Sequence, residues 1–308
     1  MRRRLERPGC TVLFNESIRS EYTRKNYGIH LSQFQRFAGM SSADELAHIP
    51  HEDMQALLEN YVLELKHSTN PNSVPSKFQG IRHFCVINGI RIDWDIIRKM
   101  FPQRQRPPAL RAYTTGEIRT MLSHTAGARD VALIHFLIST GTRIGVFGHE
   151  LLMGHTRRMS YGCRAVRLYA GEIEEYWTFL TPQASSALDL YHDCRKRAGE
   201  SFTTDTPLFT ARGPSPRQLT WNGARSAIYR TITRSNITRI KDNGRYDVQA
   251  DHGFRKRFNT ILKLDNSINY NIAEKLMGHK NGLDGVYFVP TLEELFAEFK
   301  KVMRKLEV

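Results

Sequence analysis

DHGFRKRF at 251–258, EKLMGH at 274–279 and GVYF at 285–288 carry most of the information in this chain. They set His252 and Arg255 three residues apart, His279 24 residues after Arg255, and Tyr287 eight after that. Upstream, STGTRIG at 139–145 adds Arg143. Two arginines, two histidines and a tyrosine form a set suited to attack on a phosphodiester. A tyrosine hydroxyl is a weak nucleophile at neutral pH and needs a base or an acceptor beside it. The pentavalent phosphate it would create needs fixed positive donors, and the planar fork of arginine matches two phosphate oxygens.

The surroundings of these residues are basic. The 308-residue chain has a formal net charge of +14. Residues 1–111 hold 17 basic and 11 acidic residues, net +6, and residues 112–308 hold 28 and 20, net +8, so the charge is not a detachable tail. Residues 212–263 alone contain 12 basic residues and three acidic ones. Such a concentration is the footprint of a polyanion binder, with Arg225, Arg230, Arg234, Lys241, Lys256 and Arg257 as the expected contacts to it.

The chain is long enough for two domains with real cores. In the N-terminal third, Tyr22, Tyr27, Leu31, Phe34 and Phe37, then Met54, Leu57, Leu58, Tyr61, Val62 and Leu65, then Phe78, Ile81, Phe84 and Cys85 recur at helical intervals. They predict a small helical bundle over 1–103. RQRPPALRA reads as a linker, assigned to 104–111, and 112–308 as a second domain. There, Thr115 is expected to cap a helix with Ile118, Met121 and Leu122 inward, and 129–139 to form a buried helix. RAVRLY and EYWTFL alternate as a β-hairpin, and Thr181-Pro182 opens another helix. Helices are further expected over 217–237 and 252–264. The last begins at the capping box Thr291-x-x-Glu294 and carries an apolar stripe, which serves either its own domain or a neighbouring subunit.

In this order and spacing, Arg143, His252-Gly-Phe-Arg255, Gly278-His279 and Tyr287 resemble the signature of the tyrosine recombinases, or phage integrases. The phrasing of GFRKRFNTILK and LMGHKNGLDGVYF is most similar to archaeal members. The resemblance covers roughly residues 110–300 well. It implies a mainly α fold with a small β-hairpin or sheet (α+β), in which a helical DNA-clamping domain precedes the catalytic domain. It implies an integrase of a mobile element that performs site-specific recombination on double-stranded DNA through a 3′-phosphotyrosine at Tyr287, with no cofactor or metal. His252 would assist deprotonation of Tyr287, Arg143 and Arg255 would hold the non-bridging oxygens, and His279 would hydrogen-bond the scissile phosphate. The implied assembly is a tetramer on two duplexes, monomer or dimer when free.

Three departures stand out. His279 and Tyr287 are one residue closer than in many members. Val146 occupies a position that is usually acidic. The hairpin turn reads AGEIEE, with Ile173 where the family's catalytic lysine is expected, leaving the general acid unassigned; Lys241 is one substitute. Two rival readings remain open: an impaired integrase that only binds DNA, and a relaxase resembling type IB topoisomerases.

Other classes fare worse. His149-Glu150 with His155 resembles a zinc-protease helix, but that motif needs a histidine at 153, which is Met153. There is no Walker loop and no carboxylate cluster for two-metal chemistry. Cysteines 10, 85, 163 and 194 have neither zinc-site nor disulfide-framework spacing. MRRRLERPG is followed by no apolar h-region, and VALIHFLI at 131–138 is too short to span a bilayer. A cytoplasmic protein with no membrane partner is expected.

Overall fold

Serine and aspartate start three of the N-terminal helices by accepting hydrogen bonds from amides that no helical carbonyl reaches. Ser20 caps α2 (Glu21–Phe37), Ser42 caps α3 (Ala43–His48) and Asp93 caps α6 (Trp94–Met100); α1 (Cys10–Glu16), α4 (His51–Ser68) and α5 (Val74–Asn88) complete the set. The computed structural model describes residues 7–105, 110–213, 217–242, 245–279 and 287–308. Chain contacts divide it into Met1–Pro107 and Pro108–Val308. Of the expected linker 104–111, residues 106–109 lie outside the described residues.

The first unit is all helical. Phe34, Leu58, Val62, Phe78, Ile81 and Phe84 form its core with the inward residues of α1 and α6. The helical periodicity identified this core well, with two corrections. Tyr22 is 69% exposed and Phe37 lies at the rim, because α2 is wider than the single stripe that the bundle buries. The short helices α1, α3 and α6 hold too few turns to show a period.

In the second unit, helices surround a three-stranded antiparallel sheet. α7 (Thr115–Ser123) is capped by Thr114, not Thr115, in a reciprocal box with Glu117. α8 (Ala128–Thr140) is buried along nearly all its length, as its apolar run predicts. β1 (Thr156–Arg158), β2 (Arg164–Leu168) and β3 (Tyr176–Leu180) pair in the order β1-β2-β3, with Val166 opposite Thr178 in the expected hairpin. The three-residue β1 has no alternation of its own to read. α9 (Pro182–Arg197) packs along α8. α10 (Trp221–Arg234) is shorter than the 217–237 expected, because residues 217–219 bridge back to 209–211 in extended form. The two-residue strands β4 (Lys241–Asp242) and β5 (Arg245–Tyr246) lead to α11 (His252–Leu264) and α12 (Tyr270–Leu276).

The last helix, α13 (Leu292–Leu306), starts at Thr291 with its capping box. Leu295, Phe296, Phe299, Val302 and Leu306 are buried against Phe179 and Phe258 of the same unit. Its apolar face therefore packs on its own domain. Among the described residues no helix is long and apolar enough to cross a membrane.

Candidate active site

Arg255 lies on the inner side of α11 and is only 7% exposed, so its guanidinium protons need acceptors. Nη1 donates to the Gly141 carbonyl at 2.7 Å, and Nη2 to the Met277 carbonyl at 2.8 Å and to His279 Nε2 at 2.8 Å. One side chain thus ties the loop after α8, which carries Arg143, to the end of α12, which leads into His279. Burial holds the Arg255 guanidinium below its usual pKa, and the Arg143 charge acts in the same sense.

Arginine only donates, so the His279 nitrogen facing it is the bare one. The proton is then on Nδ1, which donates to Glu274 Oε2 at 2.8 Å. Glu274 is buried and its other oxygen meets Lys263 Nζ at 2.7 Å. The chain Lys263–Glu274–His279–Arg255 fixes both the tautomer of the imidazole and the plane of the guanidinium.

Two glycines let these segments close. Gly141 (φ +56°) and Gly278 (φ +63°) both take left-handed backbone that L side chains disfavour. A Cβ on Gly141 would stand 2.4 Å from Phe258 Cδ1, and one on Gly278 2.4 Å from Tyr176 Cε1. The glycines before Arg143 and His279 are therefore conditions of the site's geometry.

Near the arginines stack Tyr169, just after β2, and Tyr176, the first residue of β3, with centroids 6.2 Å apart. Burial pushes both phenols up, Tyr169 to about 12, while the charges of Arg143 and Arg255 act against it on both rings. Tyr176 donates to Thr142 Oγ1 at 3.2 Å, which steadies the loop holding Arg143. Arg143 itself is exposed, and no carboxylate among the described residues pairs with it. Val146, at the position where an acid was sought, is fully buried in the core. His252 is the first residue of α11 and exposed, and no side chain caps that helix.

Arg143, Arg255 and His279 thus come together from three separate segments, with His252 one turn from Arg255. Tyr287 does not join them. It is 81% exposed, and its hydroxyl has no hydrogen-bond partner among the described residues. Residues 280–286, which link His279 to it, lie outside the described residues. The hairpin turn is acidic: Glu175 accepts from Arg167 and from the Gly171 amide, each at 2.7 Å, and Ile173 is 83% exposed.

The expected DNA contacts divide. Arg225 faces solvent beside Tyr229, and Arg234 is exposed. Arg230 is 3.9 Å from Asp130, a carboxylate that Arg129 and Arg212 also approach. Lys241 is exposed on β4. Two assignments need correction. Arg257 is buried and donates to the carbonyls of Lys305 and Leu306, both at 3.0 Å, so it caps the end of α13 instead of facing DNA. The Lys256 amine is buried with no hydrogen-bond partner among the described residues, and burial lowers its pKa. Charge counting cannot distinguish such residues from solvent-facing ones. Lys263 and Glu274 escaped notice because their partnership depends on the α11–α12 packing.

No protein-family model and no curated protein sequence matches the chain. Solved structures match in fold. A lambda integrase dimer bound to a COC′ core site aligns at 16% identity over 90% of this chain and 90% of that chain, with a TM-score of 0.57. The XerH site-specific recombinase bound to its difH substrate aligns at 13% identity over 91% and 79%, with a TM-score of 0.57. The Tn1549 transposon integrase with circular intermediate DNA aligns at 13% identity over 95% and 99%, with a TM-score of 0.54. The chain has the mostly helical α+β fold of the tyrosine recombinases.

Proposed function

We propose that the chain is a site-specific DNA recombinase that cuts and rejoins strands through a phosphotyrosine at Tyr287. The observation that carries this reading is the seating of Arg255 between Gly141, Met277 and His279, which joins the three segments bearing the phosphate-binding side chains. Arg143 is unpaired on the rim, and His252 stands at an uncapped helix start. Together they offer donors to a phosphate entering from solvent, in the manner of an oxyanion site.

In this mechanism Arg143 and Arg255 hold the non-bridging oxygens. The Tyr287 oxygen forms a bond to phosphorus while its proton passes to His252. The bond from phosphorus to the 5′ oxygen breaks, leaving the 3′ end on the enzyme. DNA binding brings Tyr287 to the phosphate, in cis or from a neighbouring subunit. The first unit clamps the duplex, the basic surface supplies backbone contacts, and four copies act on two duplexes in the cytoplasm. The affinity to archaeal integrases rests on phrasing alone.

The departing 5′ oxygen needs a proton, and the acidic hairpin turn has no lysine to give it. Lys241 sits 6.0 Å from the Tyr246 ring beside His252, and Lys256 follows His252 by one helical turn. A substrate with sulfur at the 5′-bridging position leaves as a thiolate and needs no acid, since thiol pKa values lie near about 8.5. Replacing the operative lysine by Ala or Met should slow cleavage of normal DNA and leave the sulfur substrate almost unaffected. Intact binding with failure of the wild-type chain on both substrates would favour a DNA-binding protein without catalysis. Cleavage and relaxation without strand exchange between two marked duplexes would favour the relaxase.

A further inference from the structure

Next to His252 opens a cavity of about 330 Å³ that the mechanism above leaves unused. Its wall is built from Arg225 and Tyr229 of α10, Arg239, and Arg245 and Tyr246 at β5. Several other arginines of this unit meet acids: Arg111 has Glu117 and Asp247, Arg167 has Glu175, and Arg158 and Arg164 share Asp189. Here none of the three arginines has a hydrogen bond or ion pair among the described residues, although Asp251 also lines the cavity. Tyrosine rings hold two of them instead. Arg225 lies 5.6 Å from the Tyr229 centroid, and Arg239 lies 5.8 Å from Tyr229 and 4.1 Å from Tyr246. Cation–π contacts of this kind fix the guanidinium planes without using their N–H groups, so the donors remain free for an anion.

We propose that this cavity clasps the backbone phosphates adjoining the scissile one on the cleaved strand, and so fixes which phosphodiester meets His252. The proposal rests on the reading that the chain binds and cuts DNA. Phosphate is favoured over a nucleobase because the guanidinium groups already cover the ring faces on which a base would stack. Free N–H forks match phosphate oxygens bidentately, and His252 on the same wall places the bound phosphates beside the reacting one. Arg225 and Tyr229 are on a different flank of α10 from Arg230 and Arg234, about 140° from Arg225 to Arg230 at 100° per residue. The cavity is therefore distinct from the Asp130 cluster.

The test is a double-mutant cycle on DNA binding, using duplexes in which one phosphate flanking the cut site is replaced by a neutral methylphosphonate. Arg239→Gln and Arg245→Gln are combined in the full chain; thermal melting checks folding, which should hold because neither side chain has an internal hydrogen bond. Wild type should lose about tenfold in affinity on the neutralised duplex, a step equivalent to about 1.4 kcal/mol. The double variant should lose at least that much on normal DNA and nothing further on the modified one. Its salt slope should flatten by about one unit per lost contact. Tyr246→Phe should keep wild-type affinity, since the ring remains, and Tyr246→Leu should lose part of it.

Losses that simply add at every flanking position would overturn the clasp. Covalent adduct formation, read in the same samples, separates the two ideas. Adduct with additive losses sinks the cavity assignment and keeps the recombinase. Coupling without adduct keeps the cavity and sinks strand cleavage. No binding by wild type sinks both.

Discussion

Among the described residues, the buried polar and charged ones, from Asp130 to Glu274, all belong to the second unit, whereas the buried residues of the first are aliphatic, aromatic, cysteine, methionine and one glycine. A buried polar group costs stability unless it is hydrogen-bonded, so a fold that keeps eighteen of them needs partners for them. In the second unit two of them lead to the site: Arg255 to Gly141, Met277 and His279, and Glu274 to Lys263 and His279. The core of the first unit should tolerate apolar swaps of similar volume better than that of the second, whose buried polar residues also frame the candidate site.

Substitutions should separate the two. The largest effect is expected for Arg255→Ala, which strands the Gly141 and Met277 carbonyls and frees His279. Two charge-assisted hydrogen bonds to carbonyls at about 1.5–3 kcal/mol each imply a destabilisation of roughly 3–6 kcal/mol, together with loss of adduct formation. Chemical denaturation with hydrogen exchange resolved by segment would read it. Protection lost in α1–α6 before α8, α11 and α12 would break the contrast.

Phe34→Ala is the matching test in the first unit. A fully buried Phe replaced by Ala costs about 3–5 kcal/mol. The loss should appear in α2, α4 and α5, while a nicked oligonucleotide is still cleaved at high DNA concentration. Loss of cleavage at saturating DNA would make the first unit part of the chemistry.

Acid sharpens the comparison further. Burial lowers His135 and His192 in the second unit to about 4, against 6.5 for the free side chain. Between those values the unfolded chain binds protons that the folded chain excludes. Their contribution is whole above pH 6.5 and drains as pH falls towards 4, by on the order of 1–3 kcal/mol per histidine. The urea midpoint of the second unit should fall over that window; a flat midpoint would show that the two imidazoles accept protons in place.

The smallest effect is expected at Arg234, exposed and outside every hydrogen bond. Arg234→Ala should leave stability within about 0.5 kcal/mol and flatten the salt dependence of DNA affinity by about one unit. An unchanged slope would place the duplex away from this flank of α10.

The sequence disclosed features that depend on neighbours along the chain. The apolar run of α8, the alternation of β2 and β3, and the Thr291 capping box are local patterns and fold as read. The motif residues Arg143, Arg255 and His279 were also legible as a set, and the fold gathers them. Features decided by packing were hidden. Nothing local marks Arg257 as the cap of α13, Glu274 as the partner of His279, or Tyr22 as exposed. Nothing local shows why glycine stands at 141 and 278; the reason lies in rings brought from Phe258 and Tyr176. The arginines at 239 and 245 looked like two more charges until tyrosines were found holding Arg239.

The most direct measurement is covalent trapping on a nicked duplex by wild type and by Tyr287→Phe. Phe removes the nucleophile and leaves every phosphate donor, and an 81% exposed hydroxyl supports no core packing. Wild type should yield a denaturant-resistant protein–DNA adduct joined at the 3′ phosphate, and the variant should bind with equal affinity and yield none. An adduct formed equally well by Tyr287→Phe would show that another residue attacks and would contradict the assignment of Tyr287.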